Sequence, residues 1–223
     1  MCGRFLLHAP VEVLQRAFGF AERPNLRPRY NIAPTQTVPI VRHKDDGGGR
    51  ELALVRWGLI PSWAREPGIG GRLINARAET VAEKPAFRGA FRQRRALVPA
   101  DGFYEWRKPE SGGPRQPLLI RRRDREPFAL AGLWEHWRGP EGEVETCTIV
   151  TTAANAVLAP IHDRMPVILD PAAYDRWLDP ARPEAEELLR PCPDEWLEAF
   201  PVGTRVNNVR NDAAGLIAPM NPT

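Results

Sequence analysis

"TVPIVRH" (residues 37–43) and "ELALVRW" (51–57) are two runs rich in β-branched and aliphatic residues, and the polar, glycine-rich "KDDGGGR" (44–50) joins them. Apolar runs flanking a Gly/Asp cluster predict a β-hairpin. Similar runs follow at "RALVPA" (95–100), "PLLIRRR" (117–123), "PFALAGLW" (127–134) and "ETCTIVTT" (145–152), so strands cluster from about residue 36 to 152. Helical patterns lie at the ends. In "PVEVLQRAFGF" (10–20), Val11, Leu14, Ala17 and Phe18 recur at helical spacing between Pro10 and Gly19. "DPAAYDRWL" (170–178) offers Asp170 as N-cap with Pro171 behind it, and "RPEAEELLR" (182–190) is a second C-terminal candidate. Strands mixed with segregated short helices define an α+β fold.

A chain of 223 residues, 43% hydrophobic, is long enough to bury a full core and fits one domain over residues 1–223. It shows neither an internal repeat nor a dividing linker. There is no apolar run of membrane-spanning length, and "MCGRFLLHAP" lacks the basic start and long apolar stretch of a secretory signal. Cys2, Cys147 and Cys192 are widely spaced, which argues against a disulfide framework and against a structural zinc site. The expectation is a cytoplasmic protein with free thiols, no membrane association, no metal and no cofactor.

The net charge is only +3, but residues 1–125 carry 24 Lys/Arg against 12 Asp/Glu, while residues 126–223 carry 7 against 16. A basic half of this size suits a polyanion, and equally suits mutual attraction of the two halves within one fold. The 24 prolines concentrate in irregular stretches such as "NLRPRYNIAPTQ" (25–36) and "LIPSWAREPGIGGRLINAR" (59–77). Loops this long in a compact domain are usually functional or disordered, and their Trp, Tyr, Asn and Arg content favours function.

Five segments carry groups suited to chemistry. "MCGRF" (1–5) places Cys2 directly behind Met1, so that loss of Met1 leaves an amine and a thiol on one residue. The amine titrates near ~7.7–8.0 and a thiol near ~8.5, so both nucleophiles are available at neutral pH. "LINARAET" (73–80) places Asn75 and Arg77 on one face of an extended chain, Asn75 reading equally as a turn or cap residue. "ADGFYEW" (100–106) sets Glu105 between Tyr104 and Trp106: held among rings it becomes a general acid near neutral pH, on a solvent-facing strand edge it does not. "APIHDRMPVIL" (159–169) contributes His162, a proton carrier or an ordinary buried histidine. "RWGLIPSW" (56–63) contributes two tryptophans near arginines; Trp57 reads as core, and Trp63, in the Pro/Gly-rich loop, reads as a base-stacking platform.

Taken together, "MCGRF", "RYNIAPTQ" (29–36), "RWGLIPSW", "INARAET", "RALVPADGFYEW" (95–106) and "HDRMPVIL" (162–169) resemble, in order and spacing, the SOS-response-associated peptidase family, and the match runs from residue 2 to "VNNVRND" (206–212). The resemblance implies a single α+β domain with a curved, mostly antiparallel, barrel-like β-core flanked by short helices and bearing a basic groove. It implies an abasic-site sensor, a monomer that binds single-stranded DNA and crosslinks covalently through Cys2, with self-directed peptidase and lyase-like Schiff-base chemistry. Cys2, Asn75, Glu105 and His162 become the catalytic group, and Arg4, Trp63, Arg77 and Arg164 the DNA contacts. "SWAREPGIGGRL" (62–73) departs from the family pattern, with one tryptophan where relatives hold two and with extra glycines. The alternative reading is an amidohydrolase with an N-terminal nucleophile, like the class II glutamine amidotransferases, which also begin Met-Cys-Gly. Their His-Thr-Arg and Asn-Gly-Asp signatures are not found here.

Overall fold

The computed structural model describes residues 2–44, 47–109, 112–140 and 142–220. Among these residues, thirteen strands and three short α-helices follow in order: β1 (Phe5–Leu7), α1 (Val11–Phe18), β2 (Arg29–Ile32), β3 (Thr37–His43), β4 (Arg50–Trp57), β5 (Asn75–Arg77), α2 (Arg88–Gln93), β6 (Arg95–Ala100) and β7 (Gly102–Arg107). Then come β8 (Gln116–Arg122), β9 (Phe128–Gly139), β10 (Gly142–Ala153), β11 (Arg164–Pro166), β12 (Ile168–Leu169), α3 (Tyr174–Leu178) and β13 (Leu197–Pro201).

The hairpin expected at 37–57 is formed by β3 and β4, which pair antiparallel from Thr37↔Arg56 to His43↔Arg50. Asp45 and Asp46 of its connection lie outside the described residues. From this hairpin the pairing runs β4–β3–β6–β9–β10 and closes when β10 meets β4, with Thr146 opposite Arg56. The closing pair is parallel and the other four are antiparallel. A closed ring has no exposed edge strand, which removes the usual template for edge-to-edge association. The short β5, β11 and β12 attach at its rim.

A second, wholly antiparallel sheet runs β13–β8–β7–β1–β2. Its two faces bury different partners, as strand alternation requires. Phe5, Phe103, Leu118 and Ile120 face the barrel's core cluster, where the Phe5 ring meets Trp57 edge-on at 5.2 Å. Leu6, Tyr104 and Leu119 turn the other way and pack with Val202, Val206 and Leu216 of the C-terminal segment. The expected mostly antiparallel, barrel-like β-core with short flanking helices is therefore what the chain forms.

Strands extend beyond the window read from sequence, to β1 near the start and β13 near the end. Helix α1 is as expected, with Gly19 at φ 72° closing it in the left-handed conformation. At 170–178 the Asp170 carboxylate accepts the Ala172 amide at 2.9 Å, but the segment opens as a 3-10 turn over Pro171–Ala173, and only Tyr174–Leu178 is α-helical. The 182–190 candidate forms a 3-10 helix at Pro183–Leu188. No helix among the described residues is long and apolar enough to cross a membrane.

Candidate functional site

Cys2 reaches its position because β1 lies between β2 and β7. The pairing Phe5↔Phe103 continues backwards through a bond from the Tyr104 amide to the Arg4 carbonyl at 2.9 Å, which carries the start of the chain alongside Glu105. Cys2 is fully buried there. Burial drives its thiol well above the ordinary range, and the nearby Glu105 charge pushes the same way against the Arg4 amide, which lowers it. The thiol is therefore held protonated.

Glu105 is only 4% exposed, on the barrel-facing side of β7 beside Phe103. Burial is the main cause that pushes its carboxyl up to about 7; the Asp163 charge adds to the rise and the Trp106 amide opposes it. Of the two expectations for this residue, the desolvated acid is the one observed.

His162 follows the turns at 156–161, not a strand, and its Nδ1 lies 2.8 Å from the Asp163 carboxylate. The Arg164 amide lies 2.9 Å from the same Nδ1, so this nitrogen sits between a donor and a carboxylate. Burial, first, and Arg115 lower its pKa, while Asp163 opposes them. Cys2 and Glu105 are thus coupled directly, and the Asp163 charge, which acts on both Glu105 and His162, links the histidine to them, as does Arg115 to His162 alone. The sequence does not single out Arg115, and it offers Asp163 only as a weak dyad partner adjacent to His162.

Asn75 sits on β5, which pairs parallel to β10 through Asn75↔Ile149 and Arg77↔Thr151. Its Nδ2 donates to the Ile74 carbonyl at 3.0 Å, and the Trp57 indole donates to the same oxygen at 2.9 Å. Since Trp57 also holds Phe5 of β1, this carbonyl ties β5 to the strand behind Cys2. Asn75 Oδ1 is buried and has no hydrogen-bond partner among the described residues, which leaves it an open acceptor. Trp57 is buried, as its position on the strand implied.

Asn75, Arg77 and Trp63 line one open groove of about 650 Å³, together with Leu73, Lys84 and Phe87. Trp63 is 59% exposed, its indole resting on the Pro85 carbonyl at 3.3 Å. The loop that carries it is anchored by two glycines: a Cβ on Gly58 would lie 2.7 Å from the Gly70 carbonyl oxygen, and one on Gly70 would lie 2.6 Å from that of Gly58. Gly58 also adopts φ 129°, outside the range of ordinary side chains. At least part of the loop's extra glycine content is thus a packing requirement.

Arg4 lies on the other face of its sheet, over the Trp106 ring, with Nη1 donating to Asn31 Oδ1 at 2.8 Å and to the Val206 carbonyl at 2.9 Å. Arg164 is clamped by Glu79 in a bidentate pair at 2.5 and 2.9 Å and also donates to the Thr151 carbonyl at 2.6 Å. Two motif residues have structural work that the sequence did not assign. Asn31, fully buried, donates to the carbonyls of Val206, Asn208 and Asn211, and Asp101 accepts the amides of His8 and Ala9.

The charge asymmetry is consumed internally in part. Arg29–Asp212, Arg42–Glu145, Arg50–Asp175, Arg94–Glu135 and Arg121–Glu198 all join the basic half to the acidic one. All three cysteines are free and buried. Among the described residues no group of three or more His, Cys, Asp or Glu is arranged to hold a metal ion.

A closed mixed barrel beside an antiparallel sheet, with a buried Cys2 against a desolvated Glu105, belongs to a defined class: residues 1–209 match the SOS response associated peptidase family, and the chain is a member of it. Among curated proteins it is similar to the abasic site processing protein YoqW of Bacillus subtilis, 40% identical over 97% of this chain and 99% of the relative. The abasic site processing protein HMCES of Gallus gallus is 32% identical over 99% of this chain and 78% of its own length. A crystal structure of a protein from Bacteroides thetaiotaomicron shares the fold with a TM-score of 0.88 and 27% identity, covering 99% of this chain and all of that one.

Proposed function

We propose that this protein processes abasic sites in single-stranded DNA, capturing the opened sugar as a thiazolidine on Cys2 after Met1 is removed. The observation that carries the reading is the burial of Cys2 against a carboxyl pushed up to about 7 by its surroundings. The names of the relatives at 40% and 32% identity support it.

An abasic sugar is mostly a closed hemiacetal, and a half-protonated Glu105 is suited to donate the proton that helps open it. The freed α-amine of Cys2 attacks the aldehyde carbon C1′, and loss of one water leaves an imine. His162, whose pKa burial lowers, is suited to pass protons during that dehydration. The thiol then adds to C1′ while its proton moves to the imine nitrogen, closing the ring. An imine alone permits β-elimination and strand cleavage; ring closure removes the C=N bond that elimination needs. A thiol held protonated by burial suits this order, amine first and sulfur second. Asn75 Oδ1, a neutral acceptor, orients the sugar or the amine without adding charge.

In this reading Trp63 stacks a base, and Arg4, Arg77 and Arg164 answer phosphates, Arg4 and Arg164 only after giving up present partners. Hydrolysis of the Met1–Cys2 bond by the same site is the self-directed peptidase step. The protein acts as a monomer in the cytoplasm, where its free thiols stay reduced. The test is incubation with an abasic single-stranded oligonucleotide followed by denaturing electrophoresis. A shifted band that survives denaturant is expected with the abasic oligonucleotide and not with the intact one; equal affinity for both, with no resistant band, overturns the reading.

A further inference from the structure

Glu79 is paired with the Arg164 guanidinium and lies within electrostatic reach of Arg77. Its carboxylate takes both bonds of Arg164, at 2.5 and 2.9 Å, and lies two residues beyond Arg77 at the end of the same β5 segment. Strand β10 fixes the pair of cations: Thr151 faces Arg77 on one side, and on the other its carbonyl takes Arg164 at 2.6 Å. Both guanidiniums hold the Glu79 carboxyl below the usual carboxylate range, the Arg164 bonds most. Arg164 Nε is buried and without a hydrogen-bond partner among the described residues, so this guanidinium has a donor to spare. Glu79 itself is about half exposed, at 53%, whereas the Arg164 side chain is only 14% exposed.

We infer that the Glu79 carboxylate is a resident stand-in for a DNA phosphate, occupying the Arg77/Arg164 anion site until a phosphodiester displaces it. A carboxylate and a phosphate present paired oxygens with the same spacing logic to a planar fork of N–H donors, so one can replace the other. The consequence is specificity. Undamaged strands must spend part of their phosphate attraction on evicting Glu79 and therefore bind weakly, while an abasic strand makes up the difference at Cys2. This inference rests on the reading that the protein takes single-stranded DNA.

The experiment is fluorescence anisotropy of an intact single-stranded oligonucleotide against Glu79→Gln across a NaCl series, with thermal melting alongside. Glu79→Gln is expected to bind several-fold tighter at low salt, with the log–log salt slope steeper by up to about 0.7, because no freed carboxylate takes back the counterion that the phosphate releases. Adding Arg164→Gln to Glu79→Gln should cancel the gain. Equal or weaker binding by Glu79→Gln at the parent's melting temperature overturns the inference; if that variant melts early, Glu79→Ser is subject to the same criterion. Failure of the broader reading is separately visible: it shows as a parent protein that never crosslinks an abasic oligonucleotide, whatever Glu79→Gln does.

Discussion

The Tyr104 amide donates to the Arg4 carbonyl at 2.9 Å, and this pairing sets Cys2 beside Glu105 although most of the barrel's first strands separate them in sequence. Sequestration then does two things at once: it lifts the thiol and it lifts the carboxyl. A site assembled from the first strand of the chain and a mid-chain strand depends on the fold to exist.

Adduct formation should show a bell-shaped pH dependence. Glu105 must be protonated to act as an acid, so the rate falls as pH rises through about 7. The Cys2 amine must be neutral, so the rate also falls below its ordinary range of ~7.7–8.0. Glu105→Gln should slow the reaction by about 10²–10⁴-fold and remove the descending alkaline limb. Single-turnover gels across pH measure this, and an unchanged profile removes Glu105 from the role.

The same carboxyl destabilises the fold at neutral and higher pH. Its native pKa, about 7, lies above the ordinary value of 4.5, so the native state binds the proton more tightly than the unfolded one. Stability from this group is fully present below about 4.5 and is lost as pH rises toward 7. Glu105→Gln should therefore melt above the parent at pH 8, by up to about 3 kcal/mol, and with the parent at pH 4. Melting curves at the two pH values check the sign.

How much of this was legible from residues alone follows the length of the signal. The 37–57 hairpin and helix α1 carry enough periodic residues to be read, and the desolvated carboxyl was one of two readings left open by the rings around Glu105. Strands β1 and β5 are three residues each, too short to show alternation, and the parallel β4–β10 pair that closes the barrel is set by tertiary packing. The ends of Arg164 and Arg4 were invisible for the same reason: their partners Glu79, Asn31 and Val206 adjoin only in the fold. Asn31 and Asp101, read only as members of motifs, prove to hold the C-terminal segment and the β1–α1 turn.

Trp63 should matter for binding and not for the chemistry. Trp63→Ala removes a largely exposed ring whose one hydrogen bond among the described residues goes to the Pro85 carbonyl, so stability should change little. Affinity for single strands should drop by about 1–3 kcal/mol, the worth of one base stack. Anisotropy measures this; parental affinity would take the base contact away from Trp63.

Gly70→Ala tests the loop anchor. The new methyl would meet the Gly58 carbonyl oxygen at 2.6 Å, and because that atom is backbone the loop must move away. A loss of about 1–3 kcal/mol in stability with weaker strand binding is expected. Gly68→Ala, which meets nothing within 4 Å, should leave both unchanged.

The most direct test is the intact mass of the denatured protein after reaction with an abasic oligonucleotide, for the parent and for Cys2→Ala. The account predicts a parent adduct that lacks Met1 and weighs the sum of protein and oligonucleotide less one water, stable to heating, and no such adduct from Cys2→Ala while its salt-sensitive binding persists. An adduct of the same yield that still carries Met1, or one formed equally by Cys2→Ala, would contradict it.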